Sequence, residues 1–168
     1  MKLERLQEKI KDYYDKKYNA MGGCDRVAFC QDEEGLYIMP QEQHGVGCAH
    51  MFFLRGYTTT APLLPYGTPQ KLWKATIKDE CYTLATQKQV GKHGGYHTGK
   101  RVAVITNEAG IGVVIQEKFL KLLPHNTLYY VKDSKNPLLA MIKEGGQLHP
   151  IAIICPMYIK NQDEIEYI

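Results

Sequence analysis

The side chains best suited to chemistry in this sequence are a scatter of imidazoles and thiols. His44, Cys48 and His50 fall close together, Cys24 and Cys30 precede them, and His93 and His97 follow. Each could ligate zinc through a ring nitrogen or a thiolate. On a strand, Cys48 and His50 would share a face while Ala49 points away, which permits a ligand pair without requiring one. Structural zinc sites carry paired ligands at tight, repeated spacing, and no CxxC occurs here. The set therefore predicts ordinary core and loop residues, with no metal and no cofactor. Cys48 beside a histidine would also suit nucleophilic catalysis, yet nothing in the sequence supplies an orienting third group or an oxyanion hole.

A second pattern, from Gly94 to Lys100, matches the GxxxxGK part of a phosphate-binding loop. The next residue is Arg101, where a magnesium-binding Ser or Thr belongs, and a β-type run follows where a helix should open. A glycine-rich surface loop is the expectation. Basic residues form the third set. Lys2, Arg5 and Lys9 recur on one face of the N-terminal segment, and Lys118 and Lys121 flank a late apolar pair. Both groups could face a phosphate backbone, although Glu4, Glu8 and Asp12 interleave with the first and suit a plain solvated helix face equally well.

The elements that must position these residues follow from periodicity. Leu3, Leu6, Ile10 and Tyr13 or Tyr14 predict a helix from about Leu3 to Tyr18. RVAFC and GLYIMP predict a hairpin about Gln31–Glu34, and VGCAHMFFLR a more buried strand. From Gln70 to Val90 the stripe Trp73, Ile77, Cys81 and Leu84 favours a helix, while the β-formers in KATIK and CYTLAT keep a hairpin open. VAVIT and GIGVVI predict a second hairpin, QEKFLKLL a short amphipathic helix ended by Pro124, and TLYYVKD, PLLAMIK and HPIAIICPMYI three strands.

The whole is 168 residues, 44% hydrophobic and 23% charged, with formal charge +3. Such a chain has room for one globular domain, residues 1–168, and cannot be a large multidomain enzyme. The charge falls well short of announcing a nucleic-acid binder on its own. Five unpaired-looking cysteines and the lack of an apolar leader or a membrane-length apolar run predict a reduced, cytoplasmic protein with no membrane partner.

From about Val102 to Asn161 the order of elements resembles the last part of the bacterial DNA sliding clamp, the β subunit of the replicative polymerase. The matching positions are Ile111-Gly112-Val113, the helix holding Phe119, Leu120, Leu122 and Leu123, the turn Asn136-Pro137-Leu138, and Cys155-Pro156-Met157. Residues 41–100 resemble nothing in a clamp and read as a divergent middle or an insertion. The resemblance implies a clamp-like α+β domain, with two helices packed on one side of a mainly antiparallel sheet. It implies that Lys2, Arg5, Lys9, Lys118 and Lys121 face double-stranded DNA. It also implies that Leu138, Ile153, Ile154, Pro156 and Met157 form a groove for short peptides of replication or repair proteins. A clamp chain carries several such domains and this one has room for one, so a ring would need a homo-oligomer. The expectation is a noncatalytic, clamp-like binding module associated with DNA or replication proteins. The alternatives are a small metal- or cysteine-dependent enzyme built on the His/Cys set, and an interaction protein of a mobile element or phage.

Overall fold

A computed structural model describes residues 2–20, 27–40, 50–65, 67–94, 99–157 and 164–168. The N-terminal helix α1 (Leu3–Ala20) forms where the spacing predicts it, with Leu6, Ile10 and Tyr14 buried along one stripe. Glu4 in its first turn and Lys17 in its last suit the helix dipole. The hairpin β1 (Val27–Asp32) and β2 (Gly35–Pro40) follows, turned by Asp32, whose Oδ1 accepts the Glu34 and Gly35 N–H groups at 2.9 and 3.3 Å. Then come β3 (His50–Arg55), α2 (Thr68–Lys78), β4 (Thr83–His93), β5 (Lys100–Asn107) and β6 (Gly112–Gln116). A single 3₁₀ turn (Glu117–Leu120) leads to β7 (Leu128–Val131), β8 (Leu138–Glu144), β9 (Gln147–Ile154) and β10 (Ile165–Tyr167).

These strands make one antiparallel sheet in the order β1-β2-β3-β9-β8-β7-β4-β5-β6, with β10 beside β4. The fold is thus α+β in a single domain. Because β9 lies between β3 and β8, the two ends of the chain share one sheet. The described part of residues 41–100 is no appendage, since it supplies the central β3, the helix α2 and the long β4 that joins the two halves of the sheet.

Both faces of the central strands are covered, and the period-two alternation of strands sorts their side chains. Leu36, Ile38, Phe52 and Leu54 pack under α1. Tyr37, Met39, Met51, Phe53 and Ile153 pack on the other face against Trp73 of α2. The Trp73 ring centroid lies 5.1 Å from that of Phe53 and 6.4 Å from that of Tyr37. The late 3₁₀ turn shares the face of α1: the His50 ring on β3 contacts Phe119 at 4.3 Å and the Tyr14 hydroxyl at 3.3 Å. The two helices of the structure therefore lie on opposite sides of the sheet, which corrects the expectation of two helices on one side: the amphipathic helix expected over QEKFLKLL is only a 3₁₀ turn, and it is this turn that shares the side of α1. The open choice over Gln70–Val90 resolves as neither option whole: KATIK belongs to a helix that ends at Lys78, a strand starts at Thr83, and no hairpin forms between them. The helix stops at Asp79, whose backbone is extended and whose Oδ1 accepts the Cys81 N–H at 2.9 Å, and Thr83 and Leu84 then pair with Val131 and Tyr130.

The sheet curls. The start of β4 pairs with β7, a bulge lies between Ala85 and Gln87, and the rest pairs with β5. Past β9, the Met157 N–H donates to the Val114 carbonyl of β6, the last strand of the sheet among the described residues, at 2.8 Å, nearly closing the curl. Ala103, Ile105, Val113, Ile115, Val131, Leu138 and Ile154 fill its inside, with Phe119 and Leu120 inserted from the 3₁₀ turn. The C-terminal β10 approaches Gly91 so closely that a Cβ there would sit 2.7 Å from the Glu166 carbonyl oxygen, so glycine is required for this pairing.

Trp73 is 1% exposed and anchors α2. Trp73→Ala should destabilise the protein by about 3–5 kcal/mol through lost burial and the cavity left behind. Urea unfolding checks this, and a loss below about 1 kcal/mol would show that α2 is peripheral to the fold.

Candidate nucleic-acid interface

The 3₁₀ turn after β6 separates its side chains sharply. Residues at i and i+3 eclipse in such a turn, so Lys118 and Lys121 share one side. Phe119 and Leu120 go to the other and are 9% and 6% exposed. Successive i→i+3 backbone bonds, Leu123 N–H to the Leu120 carbonyl at 3.0 Å and Thr127 N–H to Pro124 at 3.1 Å, keep the following segment tight. The Lys118 ammonium lies 5.1 Å from the Phe119 ring centroid, a cation–π contact that holds it near the turn.

The β4–β5 hairpin brings further cations to the same place. Gly99 takes φ +79°, and its N–H donates to the His93 carbonyl at 2.9 Å, so Lys100 starts β5 at once. Lys88 pairs in register with Ile105, and Arg101 lies two residues before Ala103. Strand alternation therefore puts both on the concave side, where Ala103 and Ile105 enter the core. The Arg101 guanidinium Nε donates to Glu117 Oε2 at 2.6 Å and ties β5 to the 3₁₀ turn.

The result is a groove of about 670 Å³. Lys88, Lys100, Arg101, Lys118 and Lys121 line it, opposed by the single carboxylate of Glu117, while Leu120, Leu123 and Pro124 with His125 and Tyr129 supply the remainder. The hydrogen bond from Arg101 holds the Glu117 carboxyl below the usual carboxylate range, and the charges of Arg101, Lys88 and Lys121 add to this. Burial pushes the Tyr129 phenol up to about 12, so it is neutral at physiological pH. A concave surface with this excess of positive charge focuses a field that attracts polyanions.

Of the five cations expected to face DNA, Lys118 and Lys121 are in this groove. Lys2 just before α1 and Arg5 and Lys9 on it are exposed and do not line the groove. The start of α1 is instead tied to the β8–β9 hairpin, the Leu3 N–H donating to Glu144 Oε2 at 2.5 Å. No local pattern in the sequence marks Lys88, His125 or Tyr129. Lys100 and Arg101 stand out in the sequence only at the end of an imperfect phosphate loop. That loop joins two antiparallel strands, so it lacks the helix N-terminus on which a phosphate loop depends, and residues 95–98, with His97, lie outside the described residues.

The expected peptide groove needs correction. Leu138, Ile153 and Ile154 are 0–1% exposed, because they sit on central strands covered on both faces, and so they offer no surface to a peptide. Pro156 and Met157 are half-buried, and Met157 packs against Val102, Val104, Val114 and Ile165. Of the candidate metal ligands, His44, Cys48 and His97 lie outside the described residues. His50 and His93 occupy separate parts of the sheet, His93 lying 3.0 Å from Glu164 at the β10 edge. Among the described residues no group of three or more His, Cys, Asp or Glu side chains converges. No described helix is long and apolar enough to cross a membrane.

His50, 6% exposed between α1 and the 3₁₀ turn, links the groove to the core. Burial pushes its pKa down to about 3, and the charges of Lys17 and Lys118 act in the same direction. The unfolded chain takes up this proton near the ordinary 6.5 and the folded chain does not until about 3. Between those values the unfolded state binds more protons. Stability from the neutral ring is complete above about pH 6.5 and declines as pH falls, by up to about 1.4 kcal/mol per pH unit. Urea unfolding at pH 7 and pH 5 should show a smaller loss for His50→Phe than for the wild type, and equal losses would contradict a buried neutral imidazole.

Set against protein-family models, curated proteins and solved structures, the chain matches none, so what it does is argued from its own geometry.

Proposed function

We propose that this protein is a noncatalytic module that binds nucleic acid through the phosphate backbone, and that the basic groove is the binding surface. The observation that carries this reading is the convergence of Lys88, Lys100, Arg101, Lys118 and Lys121, drawn from β4, β5 and the 3₁₀ turn, around one concavity. Three separate stretches of chain deliver like charges to one place, where their mutual repulsion works against the fold. A multivalent anion reverses that cost. Lysine and arginine contacts to phosphate are independent of sequence, so such a protein would hold or position nucleic acid without reading it.

The clamp-like expectation enters this proposal in reduced form. α1 and the late turn share one face of the sheet, and that shared face is what this proposal keeps of the resemblance. A single 3₁₀ turn is too short to serve as a ring-lining helix, and α2 lies on the other face. Binding in a groove, without encirclement, is the form the geometry favours.

Binding of a labelled nucleic acid, followed by fluorescence anisotropy over a salt series, tests the reading. With five phosphate contacts, log affinity should fall with log salt at a slope of about −3.5 for a single strand and about −4.5 for a duplex. Lys118→Glu with Lys121→Glu should weaken binding at least about tenfold and reduce the slope by about 2. Reversing Lys2, Arg5 and Lys9 together should change affinity by less than about twofold. Binding that ignores salt, or that follows the α1 cations in place of the groove, would remove the proposal.

A further inference from the structure

We infer that the groove takes unpaired nucleotides, so that the ligand is a single strand in preference to a duplex, with a base stacked on Tyr129. The inference rests on the reading of the groove as a nucleic-acid interface and narrows it.

The argument starts from the groove's two kinds of lining. Its cations suit phosphate. Leu123, Pro124 and Tyr129, each half-buried, suit a flat apolar group, and phosphate makes no use of them. In a duplex the bases are stacked and paired inside, and the phosphates lie on the outside of a broad rod, so a duplex meets the cations and leaves the apolar part of the concavity wet. An unpaired nucleotide brings both chemistries at once, a charged backbone and an exposed π-face, and single-strand binders combine a positive groove with aromatic platforms for this reason. The volume of about 670 Å³ falls within the range of roughly 300–1,000 Å³ found for sites that enclose small organic groups.

Tyr129 is placed to act as such a platform. It lies on β7, in register with Ala140 of β8, and packs against both the core beneath α1 and the core of the curl. A ring held by its neighbours loses little freedom when a base settles on it, so less of the stacking energy is spent on ordering. The phenol is neutral, so it adds no repulsion toward phosphate. His125, exposed on the turn before β7, is the second aromatic side chain of the groove and could flank the same base.

The test uses the full chain and three labelled probes at one salt concentration: an oligothymidylate of about 12 nucleotides, within the usual span of single-strand sites, an oligomer of equal length made wholly of abasic sites, and a duplex of equal length. The oligothymidylate should bind at least about tenfold more tightly than either of the others, a modest yield for base–aromatic stacking. Tyr129→Leu should remove the preference for the oligothymidylate over the abasic oligomer, and Tyr129→Trp should restore it. Abasic or duplex probes that bind as tightly as the oligothymidylate, with binding still lost on Lys118→Glu, would overturn this inference and leave the backbone-binding reading standing. Absence of binding to all three probes would overturn both. Should Tyr129→Leu fail to fold, the comparison of the three probes on the wild-type protein decides the matter.

Discussion

Burial of Phe119 and Leu120 inside the curled part of the sheet is the interaction on which the groove depends. Each apolar side chain gains about 1.5–3 kcal/mol by leaving water. A pair of like charges on neighbouring turns costs only about 0.2–0.5 kcal/mol. The apolar pair therefore dictates how the turn sits, and the 3₁₀ geometry throws Lys118 and Lys121 together to the outside whatever their mutual repulsion. Glu117, at the start of the same turn, is thereby put within reach of Arg101 and closes the link to β5. A feature made of charge is thus held in place by hydrophobic packing, with one ion pair setting its edge.

The sheet behind it is arranged to make that packing available. β2 is buried along its whole length, which requires cover on both faces. α1 and α2 provide it, one on each side, leaving the curled half to be plugged by the 3₁₀ turn. β4 is the strand that lets the two regimes coexist: it starts within the two-sided sheet, passes a bulge, and continues as part of the curl. Bulges increase local twist and redirect strands, and this one lies just before Lys88. His50 sits where the regimes meet, between Tyr14 of α1 and Phe119 of the turn.

Local pattern made much of this legible. The amphipathic stripe of α1, the Asp32 turn, the hairpin about Asn107 and the exposed pair Lys118 and Lys121 all rest on interactions within a few residues, and these are what periodicity reports. The misreadings share a different cause. An apolar run such as the one holding Ile153 and Ile154 looks the same whether it borders a groove or lies in the middle of a sheet, and only its long-range neighbours β3 and β8 decide. The split of residues 70–90 into helix and strand depended on the pairing of Thr83 and Leu84 with β7, some fifty residues on. Lys88, Arg101 and Tyr129 have nothing in common in the sequence, and they meet because β4, β5 and β7 are neighbours. The glycine-rich loop gave the one available hint, since it drew attention to Lys100 for the wrong geometric reason.

The most direct test of the account is to map the binding surface itself. Titrating the ¹⁵N-labelled protein with oligothymidylate and following its backbone amide resonances should shift those of Lys88, Lys100, Arg101, residues 118–125 and Tyr129 progressively, while the exposed face of α1 around Arg5 and Lys9 stays unmoved. Shifts concentrated on α1, or a spectrum unchanged at saturating oligonucleotide and low salt, would contradict the claim that the basic groove is where this protein meets its ligand.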